Sequence, residues 1–166
     1  MKKSLLSIFM TIVILMSVAL PIFADESQPH TIESENGFEV TYFPDGSTLT
    51  YSPITIIKDQ ASARATTQNI TASQDVIYRD ANGDVSWKYT LTGNFSYVYG
   101  VSSTCTGASY KKSISNNSWS FSNGSATKSG NTAYGKGTFK YKVLLITTTT
   151  YNIDLPLTCD KYGNVT

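Results

Sequence analysis

Histidine occurs once in this 166-residue chain, as His30, and glutamate does not occur after Glu39. A Ser/His/Asp or Cys/His mechanism needs a fixed, partly buried base, which one histidine near the start of the chain does not supply. The acids that follow Asp59 are Asp75, Asp80, Asp84, Asp154 and Asp160. Most of them fall at turns or strand ends, where aspartate serves local hydrogen bonding, so a facing carboxylate pair for glycoside cleavage stays open on paper only. Asp80, Asn82 and Asp84 place oxygens at every second position, as a calcium loop does. Gly83 comes too early for that loop and no glutamate closes it, so a tight turn fits better. No catalytic residue, metal or other cofactor is expected, and the expected role is non-enzymatic. Helical stripes are also missing: no window after the first 24 residues repeats apolar side chains at a helical period.

The long apolar runs are confined to the start. Lys2 and Lys3 precede an apolar stretch from Leu5 to Leu20, and Pro21, Ile22, Phe23 and Ala24 come before acidic Asp25 and Glu26. This is the build of a secretory leader, residues 1–24, with cleavage expected after Ala24. The chain is then expected outside the cell, secreted or associated with the wall, with no stable membrane insertion once the leader is gone. The remainder has room for one ordinary domain.

Charge divides along the chain. Between Asp25 and Asp59 seven acids stand against Lys58 alone, whereas from Gln60 onward ten bases stand against five acids. Residues 25–68 therefore read as an acidic segment ending in a linker, Gln60 to Gln68, which is small, polar and without apolar periodicity. Within it Phe38–Phe43 and Ser47–Tyr51 are β-prone and joined by Pro44, Asp45 and Gly46, a hairpin signal. Such a hairpin is marginal alone and must dock on the main domain or stay mobile.

Residues 69–166 alternate with period two. Val85, Trp87, Tyr89, Leu91, Phe95, Tyr97 and Tyr99 occupy odd positions, and the phase is unchanged across Gly93. One long strand, bent or bulged at Gly93, is the preferred reading, and a hairpin with a three-residue loop is the alternative. Ala133 to Leu145 and Tyr151 to Cys159 form two further runs, with Thr147 to Thr150 expected to hold the turn between them. Shorter strands are expected near Asp75–Arg79, Cys105–Ser115 and Ser118–Ser122, separated by turns at Asn82–Gly83, Asn116–Asn117 and Asn123–Gly124. The pattern predicts an all-β fold of antiparallel strands, a β-sandwich of immunoglobulin-like general shape. Trp87, Tyr89 and Phe95 should face the core, whereas Tyr99, Tyr110 and Tyr134 are better placed for exposure and stacking on a sugar. Leu155–Thr158 matches the opening of a sortase signal but lacks its glycine, and reads as an apolar strand with an edge proline. Cys105 and Cys159 are expected to be bridged in an exported chain. That bridge would close a loop of roughly 55 residues and contribute about 4 kcal/mol.

Several stretches together carry a likeness: Trp87 ahead of Gly93, Phe95 and Tyr97; Trp119; Ser129, Gly130 and Asn131 before Ala133; and the closing Thr158, Cys159, Asp160, Gly163 and Asn164. With them the chain resembles an uncharacterised family of small secreted β-proteins of Gram-positive bacteria. The resemblance implies export and an all-β fold, and lends no activity or site residues. Tyr99 to Ser103 is fainter in its likeness to small β-sandwich bacteriocins. The first functional expectation is a secreted binding protein, whose basic domain meets an anionic envelope polymer or a protein partner through Lys111, Lys112, Lys136, Lys140 and Lys142. Those lysines equally serve to keep strand faces soluble and edges unpaired. No nucleic acid partner is expected. The alternative is an antagonistic, bacteriocin- or toxin-like protein with the acidic segment as a removable pro-segment.

Overall fold

The structure, a computed structural model, describes residues 28–33, 36–59, 66–144 and 146–166. The expected leader and the Gln60–Ala65 part of the expected linker lie outside the described residues. Ten strands follow in order: β1 (His30–Glu33), β2 (Glu39–Tyr42), β3 (Thr48–Tyr51), β4 (Thr55–Lys58), β5 (Thr67–Arg79), β6 (Val85–Val98), β7 (Ser102–Ile114), β8 (Trp119–Ser129), β9 (Thr132–Val143) and β10 (Ile146–Thr158). Every pairing is antiparallel, and among the described residues no helix is long and apolar enough to cross a membrane.

Two sheets share one core. The first runs β1-β2-β3-β5-β6-β7 with β4 also on β5, and the second runs β10-β9-β8. The odd positions of β6 point inward, so Trp87, Tyr89, Leu91, Phe95 and Tyr97 are all buried. From the other sheet Phe139 stacks on Trp87 with ring centroids 3.9 Å apart, and Ile153, Leu155 and Leu157 fill the space along β10. Burying such side chains supplies most of the stabilisation, roughly 1.5–3 kcal/mol for each fully buried large apolar residue. The layers approach closely at Gly93: a Cβ there would stand 3.0 Å from the Cβ of Ala133 on β9.

β6 is one strand, as its unbroken phase indicated, and the irregularity near Gly93 lies on its partner. Asn94 pairs with Gly107 and Phe95 with Cys105, leaving Thr106 of β7 as the extra residue. The Pro44–Gly46 hairpin is present and docked, because β3 continues the sheet onto β5. β3 and β4 run end to end along the same side of β5, interrupted by Ser52, Pro53 and Ile54. Ser52 bridges the gap, its N–H donating to the Asp75 carbonyl and its hydroxyl accepting from the Asp75 N–H, each at 2.9 Å.

Several expectations need correction. Thr67 and Gln68 belong to β5 and not to a linker. Asn123 and Gly124 do not end β8: they form a bulge within it, with Asn123 at φ 54°, and the turn comes at Gly130–Asn131. Thr147 to Thr150 are strand, bulged at Thr148, and the reversal occurs at Leu144 with φ 47°. The expected bridge is absent, since Cys105 and Cys159 are both free and buried. Each thiol instead meets a nearby carbonyl, Cys105 that of Gly107 and Cys159 that of Asp160, both at 3.3 Å. Neighbours in both sheets follow one another as hairpins except β3 and β5, between which β4 intervenes and pairs with β5 as well.

Candidate functional site

An up-and-down path places alternate turns at the same end. The end holding β6–β7, β8–β9 and the C-terminal turn is closed. There the N–H groups of Cys105 and Cys159 donate to the carbonyls of Gly130 and Asn131, at 2.9 and 3.0 Å, and Gly100 N–H reaches the Lys161 carbonyl at 2.9 Å. The opposite end gathers the turns β2–β3, β5–β6, β7–β8 and β9–β10, and between them lies a cleft of about 350 Å³.

Each wall has a local cause. In the β2–β3 turn Gly46 supplies φ 82°, and Asp45 Oδ1 accepts from Ser47 N–H at 2.9 Å and from the Ser47 hydroxyl at 2.6 Å. The Ser47 bonds hold the Asp45 carboxyl below the usual carboxylate range, so it is an ionised acceptor at neutral pH. In the β5–β6 turn Asp80 Oδ1 caps its own loop, accepting from the N–H of Asn82 at 3.0 Å and of Asp84 at 3.1 Å. That is the tight turn expected at Asn82–Gly83. Asn116 fixes the β7–β8 turn in the same way through the Ser118 N–H, at 2.9 Å.

The floor is aromatic. Tyr78 lies 5.0 Å from Trp119 and 5.2 Å from Tyr151, ring to ring, and Tyr141 lies 5.2 Å from Trp119. Burial pushes the Tyr78 and Tyr151 hydroxyls above their ordinary pKa, with the negative charge of Asp45 adding to the effect. Thr148 and Thr149 of β10 complete the rim.

One lining group breaks the strand alternation. Tyr78 pairs with Trp87 and Arg79 with Val85, so Ser86 is the extra residue of a bulge in β6. Bulges re-aim a side chain, and here both Ser86 and Trp87 are buried in succession. Ser86 is 2% exposed, its backbone carbonyl accepts from the N–H of Ser115 and Asn116, and its Oγ has no hydrogen-bond partner. A buried hydroxyl without a partner costs about 1–3 kcal/mol, and the neighbouring Trp87 Nε1 is likewise buried and unpartnered. Asp45 and Asp80 line the cleft, and among the described residues no lysine or arginine does. The cavity is therefore acidic and suited to hydrogen-bond donors.

The five lysines do not form one patch. Lys136, Lys140 and Lys142 share the outward face of β9, where Lys136 lies 3.5 Å from Asp154. Lys111 pairs opposite Thr90 on the outward face of the larger sheet, and Lys112, opposite Tyr89, lies with its Nζ 5.7 Å from the Phe121 ring centre. Of the tyrosines expected at the surface, Tyr99 is 68% exposed and meets Tyr162 edge-on at 5.4 Å, whereas Tyr110 is half-buried and stacks on Tyr89. Tyr134 is also half-buried. Pro156 sits on β10, an edge strand as expected. Among the described residues no three His, Cys, Asp or Glu side chains gather to hold a metal ion.

Sequence reasoning missed the cleft as a unit. Its signal was present in the turn residues Asp45–Gly46, Asn82–Gly83 and Asn116–Asn117, which an up-and-down path brings to one end. Comparison with protein-family models, with curated proteins and with solved structures finds no match to this chain.

Proposed function

We propose that the chain is an exported, non-enzymatic binding protein that takes a hydroxyl-rich, uncharged or cationic saccharide unit of an envelope polymer in the loop-end cleft. The unpartnered, buried hydroxyl of Ser86, a bulge residue that lines the cavity, carries this reading. Asp45 and Asp80 are suited to accept from sugar hydroxyls, Asn116 offers both donor and acceptor, and the tyrosine and tryptophan floor supplies apolar surface. Ionised Asp45 has no proton to give as a general acid, and Asp80 is engaged in its own turn, which favours binding over hydrolysis. The leader expected over residues 1–24 supports export, and the two facing layers favour a β-sandwich of immunoglobulin-like general shape.

The test is calorimetric titration of the mature protein with N-acetylglucosamine oligomers and solubilised wall fragments, alongside Ser86→Ala. The variant should keep or gain stability, since it deletes an unpaired polar group, while losing about tenfold in affinity. Binding unchanged in the variant, or no saccharide bound by the parent, would overturn the assignment.

A second reading has its own observation: Lys136, Lys140 and Lys142 in a row on one face suit an anionic polymer. The reading with a removable acidic pro-segment is weakened by pairing, because β3 and β4 cover an edge of β5 that their loss would leave open.

A further inference from the structure

The β9–β10 hairpin ends in an uncovered aliphatic tip. Val143, Leu144 and Ile146 are 47%, 90% and 68% exposed. Lys142 N–H donates to the Ser118 carbonyl at 2.9 Å, and beyond it, among the described residues, the pair Val143 and Ile146 holds the hairpin. Leu144 makes the reversal in left-handed backbone, φ 47°, a conformation in which glycine or asparagine is the ordinary choice. A branched aliphatic is thus kept at a strained, almost fully exposed position.

We infer that this tip is a membrane-docking element that enters the headgroup region of an anionic lipid bilayer, reversibly and without spanning it. Two residues beyond Lys142, at about 3.3 Å per residue, project roughly 7 Å, which matches the 5–10 Å depth of interfacial insertion. Lys140 and Lys142 share one face of β9 directly behind the tip and meet the phosphates as the aliphatic groups enter. Exposed Thr147 to Thr150 line the other strand with neutral hydroxyls. Asp45 and Asp80, at the cleft behind, repel an anionic surface and confine the contact to the hairpin. A second protein copy is the poorer occupant, because three side chains fall far short of the roughly 800 Å² per partner that a specific interface buries. A fluid lipid layer needs no matching shape.

The experiment is flotation of the mature protein with vesicles of phosphatidylcholine alone and of phosphatidylcholine mixed with phosphatidylglycerol. Binding to the mixed vesicles is expected, about fivefold weaker for Lys142→Gln. It should be weaker by about 30-fold or more for the pair Leu144→Ser and Ile146→Ser. All substituted side chains are exposed, and equal melting temperatures verify that each variant is folded. No flotation of the parent, or flotation undiminished in the double variant, overturns the inference, as does a dimer in sedimentation that the double variant abolishes. None of these outcomes depends on saccharide binding, so the two assignments fail separately.

Discussion

Gly93→Ala tests the packing of the two layers in a direction opposite to ordinary expectation. Glycine inside a strand is unfavourable, and its replacement by alanine at a tolerant site gains about 0.5–1 kcal/mol. Here the added Cβ would fall 2.7 Å from Cε2 and Cζ of Phe95 and 3.0 Å from the Cβ of Ala133. Phe95 is 1% exposed, so its ring has nowhere to swing, and the Ala133 Cβ is fixed to the β9 backbone. Relief requires the sheets to part locally. Overpacking of this kind costs about 1–3 kcal/mol, leaving a net loss of about 1–2 kcal/mol. In urea denaturation at neutral pH the midpoint should fall by about 0.5–1 M with an unchanged slope. Adding Phe95→Leu removes the clashing ring atoms, so the double variant should be less destabilised than the two single losses together. A Gly93→Ala protein as stable as its parent would refute the close approach of β6 to β9, and strict additivity with Phe95→Leu would refute the crowding of Gly93 by the Phe95 ring.

Cysteine and tyrosine chemistry provide two further checks. Burial raises both thiols above their ordinary pKa, so neither should react with an alkylating reagent in the native protein, and both should react in denaturant without reductant. A requirement for reductant would show a bridge. Burial pushes the Tyr89 hydroxyl up to about 12. Unfolding above pH 10 therefore releases a proton that the folded chain retains, so stability is full below pH 10 and falls between pH 10 and about 12. Denaturation midpoints of the parent and Tyr89→Phe should converge over that interval, and parallel pH profiles would count against the burial.

β6 was legible because its large side chains all fall on one parity and the strand meets the core along its whole length. The first half of β5 was not: between Thr67 and Ser73 only Ile70 and Ala72 are apolar, and the strand exists because β4 and β6 pair with it on both sides. Asn123–Gly124 and the four threonines misled in opposite senses. A turn dipeptide became a bulge because β9 continues alongside it, and β-branched threonines stayed in the ladder while Leu144 took the reversal. The thiols were misread because compartment and even count argue for oxidation, while pairing depends on geometry that spacing does not contain. At the cleft, the turns were visible one by one, but Ser86 was not, since a bulge is a property of register between strands rather than of the residue itself.

The hairpin path has an evolutionary consequence. Each turn around the cleft closes a separate pair of strands or passes between the layers, so one turn can lengthen, shorten or change composition without shifting the register of the strands that carry the others. The sealed far end, stitched by Cys105, Cys159 and the Gly130–Asn131 turn, keeps the layers together meanwhile. A scaffold of this kind can acquire new ligands by exchanging turns, with its core left untouched.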